Sequence, residues 1–475
     1  MPLPTDYAPL SPDLAASLAA LLGDDAISHD PARNAAHAGD WSEAPHVQPP
    51  IVLFPRTPGQ VAGTLRLCHE HGQPIAVQGG LTGLTGGATP QAGEIVLSLS
   101  RLNAIEDFDT VGGTVLVQAG VALEVLQQHV ETEGWAFPLD LGARGSCQVG
   151  GNAATNAGGN RVIRYGTMRN LVLGLEVALP DGRLLDLLGR VTKNTTGVDL
   201  KHLFIGAEGT LGIITRLTLK LSPRATATTV ALCALPSFQA ATRLVRELRR
   251  ALPGLSAFEL MWQDFMTASC EVSQLRPPFG DPAPVYALVE TQGVDDAADR
   301  QQLEQTLGQA LEHDIVSDVI VAQSLDDNHS LWAYRESVGE LLGRLKPFAA
   351  FDVAIPVARM GDFVQQVGAR LAERYPEPRH LFFGHLGDDN LHLLTGPYPD
   401  AADLHAMEAA VYATVGDYGG SISGEHGVGV VKKPFLHHSR SADELTIMRQ
   451  LKAVFDPRGI LNPGRILDGA PEPAR

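Results

Sequence analysis

A chain of 475 residues, 44% of them hydrophobic, is globular in composition and long enough for several domains of roughly 100–200 residues each. Its 54 acidic against 36 basic residues leave a formal net charge of −18, which argues against a nucleic-acid or anionic-membrane footprint. The four cysteines, Cys68, Cys147, Cys233 and Cys270, stand far apart with no C-x-x-C pair, so neither an iron–sulfur site nor a disulfide framework is expected and a reducing compartment fits.

The first thirty residues hold a short apolar helical stretch but no basic residue before Arg33, so no signal or transit peptide is expected. No apolar run approaches the roughly 18 residues of a membrane span. The expectation is a cytoplasmic protein, with peripheral docking at a membrane left open. Thr57 and Pro58 then open a helix that closes before Gly72, with threonine as N-cap and proline in the first turn. Strand PIAVQ, a loop QGGLTGLTGG over 78–87, strands EIVLSLS and GTVLVQAG, and a helix over ALEVLQQHVETEG follow. Glycine brings no Cβ, so such a loop after a strand lets backbone N–H groups approach a ligand closely, most often a phosphate. A dinucleotide fold needs its glycine turn to open a helix, and a P-loop needs Gly-Lys-Ser/Thr at its end. This loop meets neither condition.

Two more glycine-rich segments, 142–166 and 204–221, each lie beside an apolar run. Three such segments point to one extended ligand threaded through one domain; the plainer reading is tight turns in an ordinary sheet protein. Near residue 226 glycine thins out, and strand-like TTVALCAL, VYALVET and VIVAQSL alternate with helical SFQAATRLVRELRRAL, DRQQLEQTLGQALEHD and GDFVQQVGARLAERY. That alternation predicts a second α+β domain, with 276–284 as a surface excursion.

Within the second domain, FFGHLGDDNLHLL reads as a hairpin. Centred between Asp388 and Asp389, it sets His385 directly opposite His392, near enough for both rings to reach one ion. A third ligand would distinguish a metal site from a structural histidine pair. The turn Ser423-Gly-Glu-His-Gly427 offers Glu425 and His426, which on extended backbone point opposite ways and so should differ in task. Two histidines and a carboxylate also describe non-haem iron oxygenases and some zinc hydrolases.

The ordered set PIAVQGGLTGLTGG, GSCQVGGNAATNAGGNRVIRYGTMRNLVLGLEVALPDG, KNTTGVDLKHLFIGAEGTLGIIT, FGHLGDDNLHLL, GSISGEHGVG and DPRGILNPGRIL resembles the FAD-linked D-2-hydroxyacid dehydrogenases, which include D-lactate and D-2-hydroxyglutarate dehydrogenases and the glycolate oxidase flavin subunit. The likeness runs from about residue 45 to 467. It implies an α+β architecture: a vanillyl-alcohol oxidase-type FAD-binding domain over 1–225, a substrate-binding cap over 226–432, and a C-terminal segment, 433–475, returning to the FAD domain.

The resemblance further implies that Gly79, Gly80 and Gly83 cradle the FAD pyrophosphate with Thr82 and Thr85 nearby. Gly145, Ser146, Gly150, Gly151, Asn152, Thr155 and Asn156 would wrap the rest, Glu208, Gly209 and Ile213 would meet the adenosine side, and Asn462 would return from the C-terminus. No histidine lies in 73–90, so FAD is expected to be non-covalent. By the same likeness His385, His392 and Glu425 hold a divalent metal, zinc or manganese. His426 is the general base, Arg335 clamps the substrate carboxylate, and Asn390 donates to the substrate. The expected reaction takes a D-2-hydroxyacid to its 2-oxoacid, with hydride passing to flavin N5. Electrons would go on to a quinone, a cytochrome or an electron-transfer flavoprotein, and a homodimer is compatible. Relatives that handle 2-hydroxyglutarate carry a threonine and a lysine where this chain has Gly339 and Ala350, so a second carboxylate would need a neighbour such as Lys346 and a less polar or bulkier substrate side chain is at least as well matched; Asp389 stands where relatives usually have glycine. An oxidase using O₂ on an alcohol or phenol would share the cofactor domain without needing the metal triad. A non-catalytic electron-transfer subunit would be reduced by no 2-hydroxyacid.

Overall fold

A computed structural model describes residues 10–399 and 401–468. The chain divides into two compact units. One comprises the chain up to Gly158, Thr167–Arg224 and the chain from His426 onward; the other comprises Gly159–Gly166 and Ala225–Glu425. The second unit thus ends at Glu425, where the sequence reading drew the line at 432, and it takes up eight residues, 159–166, from within the glycine-rich region.

In the first unit, the helix Pro58–His71 begins where Thr57 Oγ1 accepts the Gln60 N–H at 3.2 Å and ends at Gly72, whose φ of 65° is left-handed. Its apolar face, Val61, Leu65 and Cys68, enters a core shared by two sheets. The smaller sheet orders its strands Ile27–Ser28, Val52–Leu53, Ile95–Ser98 and Ile75–Gln78, the last two pairings parallel. The larger is antiparallel: Ile105–Asp109, Thr114–Gln118, Ile213–Lys220, Val172–Ala178 and Leu184–Leu187. The C-terminal stretch is fastened by Arg465, fully buried with Glu94, whose guanidinium donates to both Glu94 oxygens and to the carbonyls of Thr89 and Pro463. Removing one partner of a buried pair strands the other charge, a loss of about 3–5 kcal/mol. Arg465→Met should therefore lower the denaturant midpoint sharply with the m-value unchanged, and an unaltered midpoint would show that the segment is held by other contacts.

The second unit is built on one antiparallel sheet of seven strands, in the order Asp318–Val321, Ala227–Leu235, Val285–Gly293, Leu255–Trp262, Arg379–His385, Asn390–Gly396, Ala349–Ala354. Trp262 marks one face, stacked at 6.0 Å on Phe238, the first residue of the helix Phe238–Ala251. Met261 and Phe383 mark the other, packed with Phe265, Trp332 and Leu341 from the helices Gln263–Ser273, Leu325–Trp332 and Val338–Arg344. The 276–284 segment is not a pure surface excursion: Phe279 is buried and stacks on Tyr286 at 6.1 Å, while the Ala283 N–H donates to the Tyr286 hydroxyl at 2.8 Å. An aromatic pair draws a proline-rich loop inward where composition alone suggests exposure.

Candidate active site

The Met261 face carries the polar groups. Strand pairing sets Glu259 opposite His385 and His385 opposite Asn390; in the next row Phe383 is opposite His392 and His392 opposite Asp352. The expected hairpin register is therefore displaced: His385 lies diagonal to His392, not across from it. The cause is the turn, which closes over Leu386–Asp388 as a 3₁₀ segment followed by Asp389 at φ 67°. A shift by two keeps the side-chain face, so the rings still converge. Asp389 holds its left-handed conformation without glycine's freedom, and its Oδ1 accepts the Val357 N–H at 3.1 Å at the start of the helix Val357–Arg374.

His385 and His392 are buried, their Nε2 atoms 3.4 Å apart. Glu425 Oε1 lies 3.9 Å from His385 Nε2 and accepts the Gly159 N–H at 2.6 Å. The three ligand atoms fall within 4.8 Å of one another. Two nitrogens bound at about 2.0–2.1 Å to one tetrahedral ion stand about 3.4 Å apart, so the donor set fits a divalent metal. His385 Nδ1 faces Glu259 Oε1 at 2.6 Å, which commits that nitrogen and leaves Nε2 toward the cluster. Burial lowers the His385 imidazole, the carboxylates of Glu259 and Glu425 raise it more, and the balance stands at about 9. The carboxylates that favour a proton there also favour a divalent cation.

Two buried carboxylates hold the surroundings. Glu259 is fully buried; burial alone would raise its carboxyl, but His385 and Arg335 outweigh that and bring it below the usual range. Its Oε2 accepts Arg335 Nε at 2.9 Å, and the guanidinium lies 4.6 Å over the Phe383 ring. The two Nη groups of Arg335 have no protein partner among the described residues. Asp352 accepts the Asn390 amide at 2.8 Å and the Glu425 N–H at 3.1 and 3.2 Å, and Ser423 Oγ also donates to it, so one side chain seats both Asn390 and the Glu425 turn. Asn390 Oδ1 is buried without a partner. Sequence reasoning missed Glu259, whose signal was a lone acid inside the apolar strand LSAFELMW.

In the first unit the first and third glycine segments and residues 142–158 of the second gather at the end of the strand Ile75–Gln78. A Cβ on Gly80 would stand 2.1 Å from the Ser146 carbonyl oxygen, and one on Gly79 would stand 3.4 Å from Gln148 Oε1. Asn462 accepts the Val77 N–H at 2.8 Å and donates to the Glu208 carbonyl at 2.7 Å, tying the third segment to that strand. Gly209 follows at φ 71°, and Ile213 is buried. Several expected cofactor contacts are already engaged in the fold. Glu208 accepts the N–H groups of Val428 and Gly429 at 2.7 and 2.8 Å, and Asn156 accepts that of Arg169 at 2.9 Å. Asn152 donates to Cys147 Sγ, Thr155 to the Gly151 carbonyl, and Thr85 to that of His426. Gly83 approaches Asp40, a Cβ on Gly150 would meet Ala119 at 2.5 Å, and Gly145, Ser146, Gly151 and Thr82 keep some exposure. Gln148 Oε1, not anticipated from the sequence, is buried and unpartnered beside Gly79. Close-packed glycine loops with an orphaned acceptor fit an extended cofactor such as FAD. His426 is half-buried and opens the C-terminal part of the first unit.

Comparison with known proteins agrees with these two halves. Residues 49–188 match the family described as "FAD binding domain" and residues 224–466 that described as "FAD linked oxidases, C-terminal domain". The crystal structure of p-cresol methylhydroxylase covers 96% of this chain and 96% of its own at a TM-score of 0.77 and 15% identity, which establishes the fold. The protein is thus an FAD-binding flavoprotein of the vanillyl-alcohol oxidase fold. It is 42% identical to the D-2-hydroxyglutarate dehydrogenase, mitochondrial, of Bos taurus over 90% of this chain and 78% of that protein. It is 40% identical to a Schizosaccharomyces pombe mitochondrial protein provisionally named a D-lactate dehydrogenase, over 92% of this chain and 85% of that one. The chain belongs to the FAD-linked D-2-hydroxyacid dehydrogenases. No helix among the described residues is long and apolar enough to cross a membrane.

Proposed function

We propose that the protein oxidises a D-2-hydroxyacid to the 2-oxoacid with non-covalent FAD and a divalent metal held by His385, His392 and Glu425. The observation that carries this is the convergence of two imidazoles and a carboxylate within 4.8 Å, in a chain whose other unit is an FAD-binding domain. Bound FAD supplies a hydride acceptor, and a bound divalent ion supplies Lewis acidity toward the substrate hydroxyl. Arg335 presents its two Nη groups to the substrate carboxylate, orienting the carbinol carbon. Asn390, seated by Asp352, offers its amide as a hydrogen-bonding group. His426 takes the hydroxyl proton as the C–H bond releases hydride, so two electrons and one proton leave with the hydride and one proton stays on the imidazole.

The names of the relatives alone favour D-2-hydroxyglutarate. Two positions argue for an uncharged substrate side chain instead. Gly339 has open space where a side chain would project, and Ala350 is exposed and apolar, so the threonine and lysine that would hold a second carboxylate have no counterpart. A lost hydrogen bond to a charged group is worth about 1.5–3 kcal/mol, roughly 10–150-fold. Anaerobic mixing with a panel of D- and L-2-hydroxyacids should bleach the flavin absorbance with D-isomers bearing uncharged side chains at least about tenfold more efficiently than with D-2-hydroxyglutarate. A preference for D-2-hydroxyglutarate would reverse the substrate assignment, and bleaching by no hydroxyacid would end the dehydrogenase reading. Dialysis against a chelator should suppress bleaching while the yellow colour persists. An O₂-dependent oxidase of alcohols or phenols would be indifferent to that treatment. The acceptor that reoxidises the flavin, whether quinone, cytochrome or electron-transfer flavoprotein, is to be found by coupled assay, and a cytoplasmic location by fractionation.

A further inference from the structure

We propose that Glu259 is a positioning residue that couples the metal ligand His385 to the carboxylate-binding Arg335, an inference that rests on the function proposed above. One buried carboxylate takes both groups: Oε1 faces His385 Nδ1 at 2.6 Å and Oε2 faces Arg335 Nε at 2.9 Å. A metal on His385 Nε2 needs the ring proton on Nδ1, and a carboxylate opposite Nδ1 accepts that proton's hydrogen bond and disfavours the other tautomer. The second oxygen holds the guanidinium by its inner nitrogen, so that the outer fork points away from Glu259. The arrangement follows from the sheet, since Glu259 is the direct cross-strand partner of His385 and is fully buried, with no solvent to take over either bond. The position is therefore answerable for two things at once, the metal's nitrogen and the substrate's clamp.

Glutamine is the discriminating replacement, because an amide has one acceptor oxygen where the carboxylate has two. If that oxygen serves His385, its NH₂ faces Arg335 and releases the guanidinium. If it serves Arg335, the NH₂ faces Nδ1 and drives the ring proton onto Nε2, where the metal should bind. Either way both functions cannot be kept. The test uses FAD-loaded protein stripped by chelator and titrated with Zn²⁺ against a competing indicator dye, alongside steady-state kinetics with the best hydroxyacid. Glu259→Gln should weaken Zn²⁺ by about 10–100-fold, raise KM, or do both, with the flavin-to-protein ratio unchanged. Glu259→Asp, one methylene and about 1.5 Å shorter but still charged, should fall between wild type and glutamine and serves if the glutamine protein does not fold. Wild-type Zn²⁺ affinity together with an unmoved KM in a folded variant overturns the coupling while leaving the catalytic reading intact. A wild-type protein that takes no Zn²⁺ overturns both.

Discussion

His385→Ala should yield a yellow, folded protein that no longer takes up a stoichiometric divalent ion and whose flavin is bleached by its hydroxyacid at least about 10³-fold more slowly. The size follows from what the ion supplies: Lewis-acid stabilisation of several kcal/mol, each 1.36 kcal/mol being a factor of ten. The variant removes one of two nitrogens 3.4 Å apart and leaves Glu259 its bond to Arg335, so the neighbouring polar contacts survive in part. Metal content by elemental analysis, the flavin-to-protein ratio and single-turnover bleaching together separate the outcomes. Wild-type rates with the metal gone would mean that the cluster is structural. Wild-type metal content would mean that the ion, if any, lies elsewhere.

Gly80→Ala should produce a protein that is largely colourless as purified. The added methyl would stand 2.1 Å from the Ser146 oxygen and 2.8 Å from Cys147 Cα, both backbone atoms, so no side chain can swing aside to admit it. Overpacking of this kind costs about 1–3 kcal/mol, and if it falls on the cofactor-binding loops it weakens FAD by roughly 10–100-fold. Gly142→Ala is the control: no atom lies within 4 Å of the methyl it adds, so its flavin content should match wild type. Full flavin retention in Gly80→Ala would mean that the first and second glycine segments abut for folding rather than for cofactor binding.

Much of this was legible as local pattern. The helix from Thr57 to Gly72 carries its own start and stop signals, and the observed helix Pro58–His71 obeys them. The glycine segments stood out because each lies beside an apolar run, and the structure gathers the first, the third and residues 142–158 of the second at the end of one strand. The hairpin that holds His385 and His392 was recognisable, but its register was not, because the turn's 3₁₀ geometry depends on Asp389 adopting a left-handed conformation that its residue type only tolerates. The face was nevertheless right, since side-chain alternation survives a displacement by two.

Other assignments depended on partners far away in the chain. Glu208 and Asn462 read as cofactor contacts, yet their side chains fasten backbone: Glu208 the turn at Val428 and Gly429, Asn462 the strand at Val77. Glu259 drew no notice because nothing within its own strand explains a buried acid. Its reasons are 126 and 76 residues distant, at His385 and Arg335. Residue order alone thus established the family and the α+β class and singled out His385, His392 and Glu425 as candidate ligands, because those rest on motifs and short-range periodicity. Which nitrogen of His385 faces the cluster, what braces Arg335 and what seats the Glu425 turn came from folding alone, because hydrogen bonds between distant strands and turns are directional over about 3 Å and leave no periodic trace in the chain.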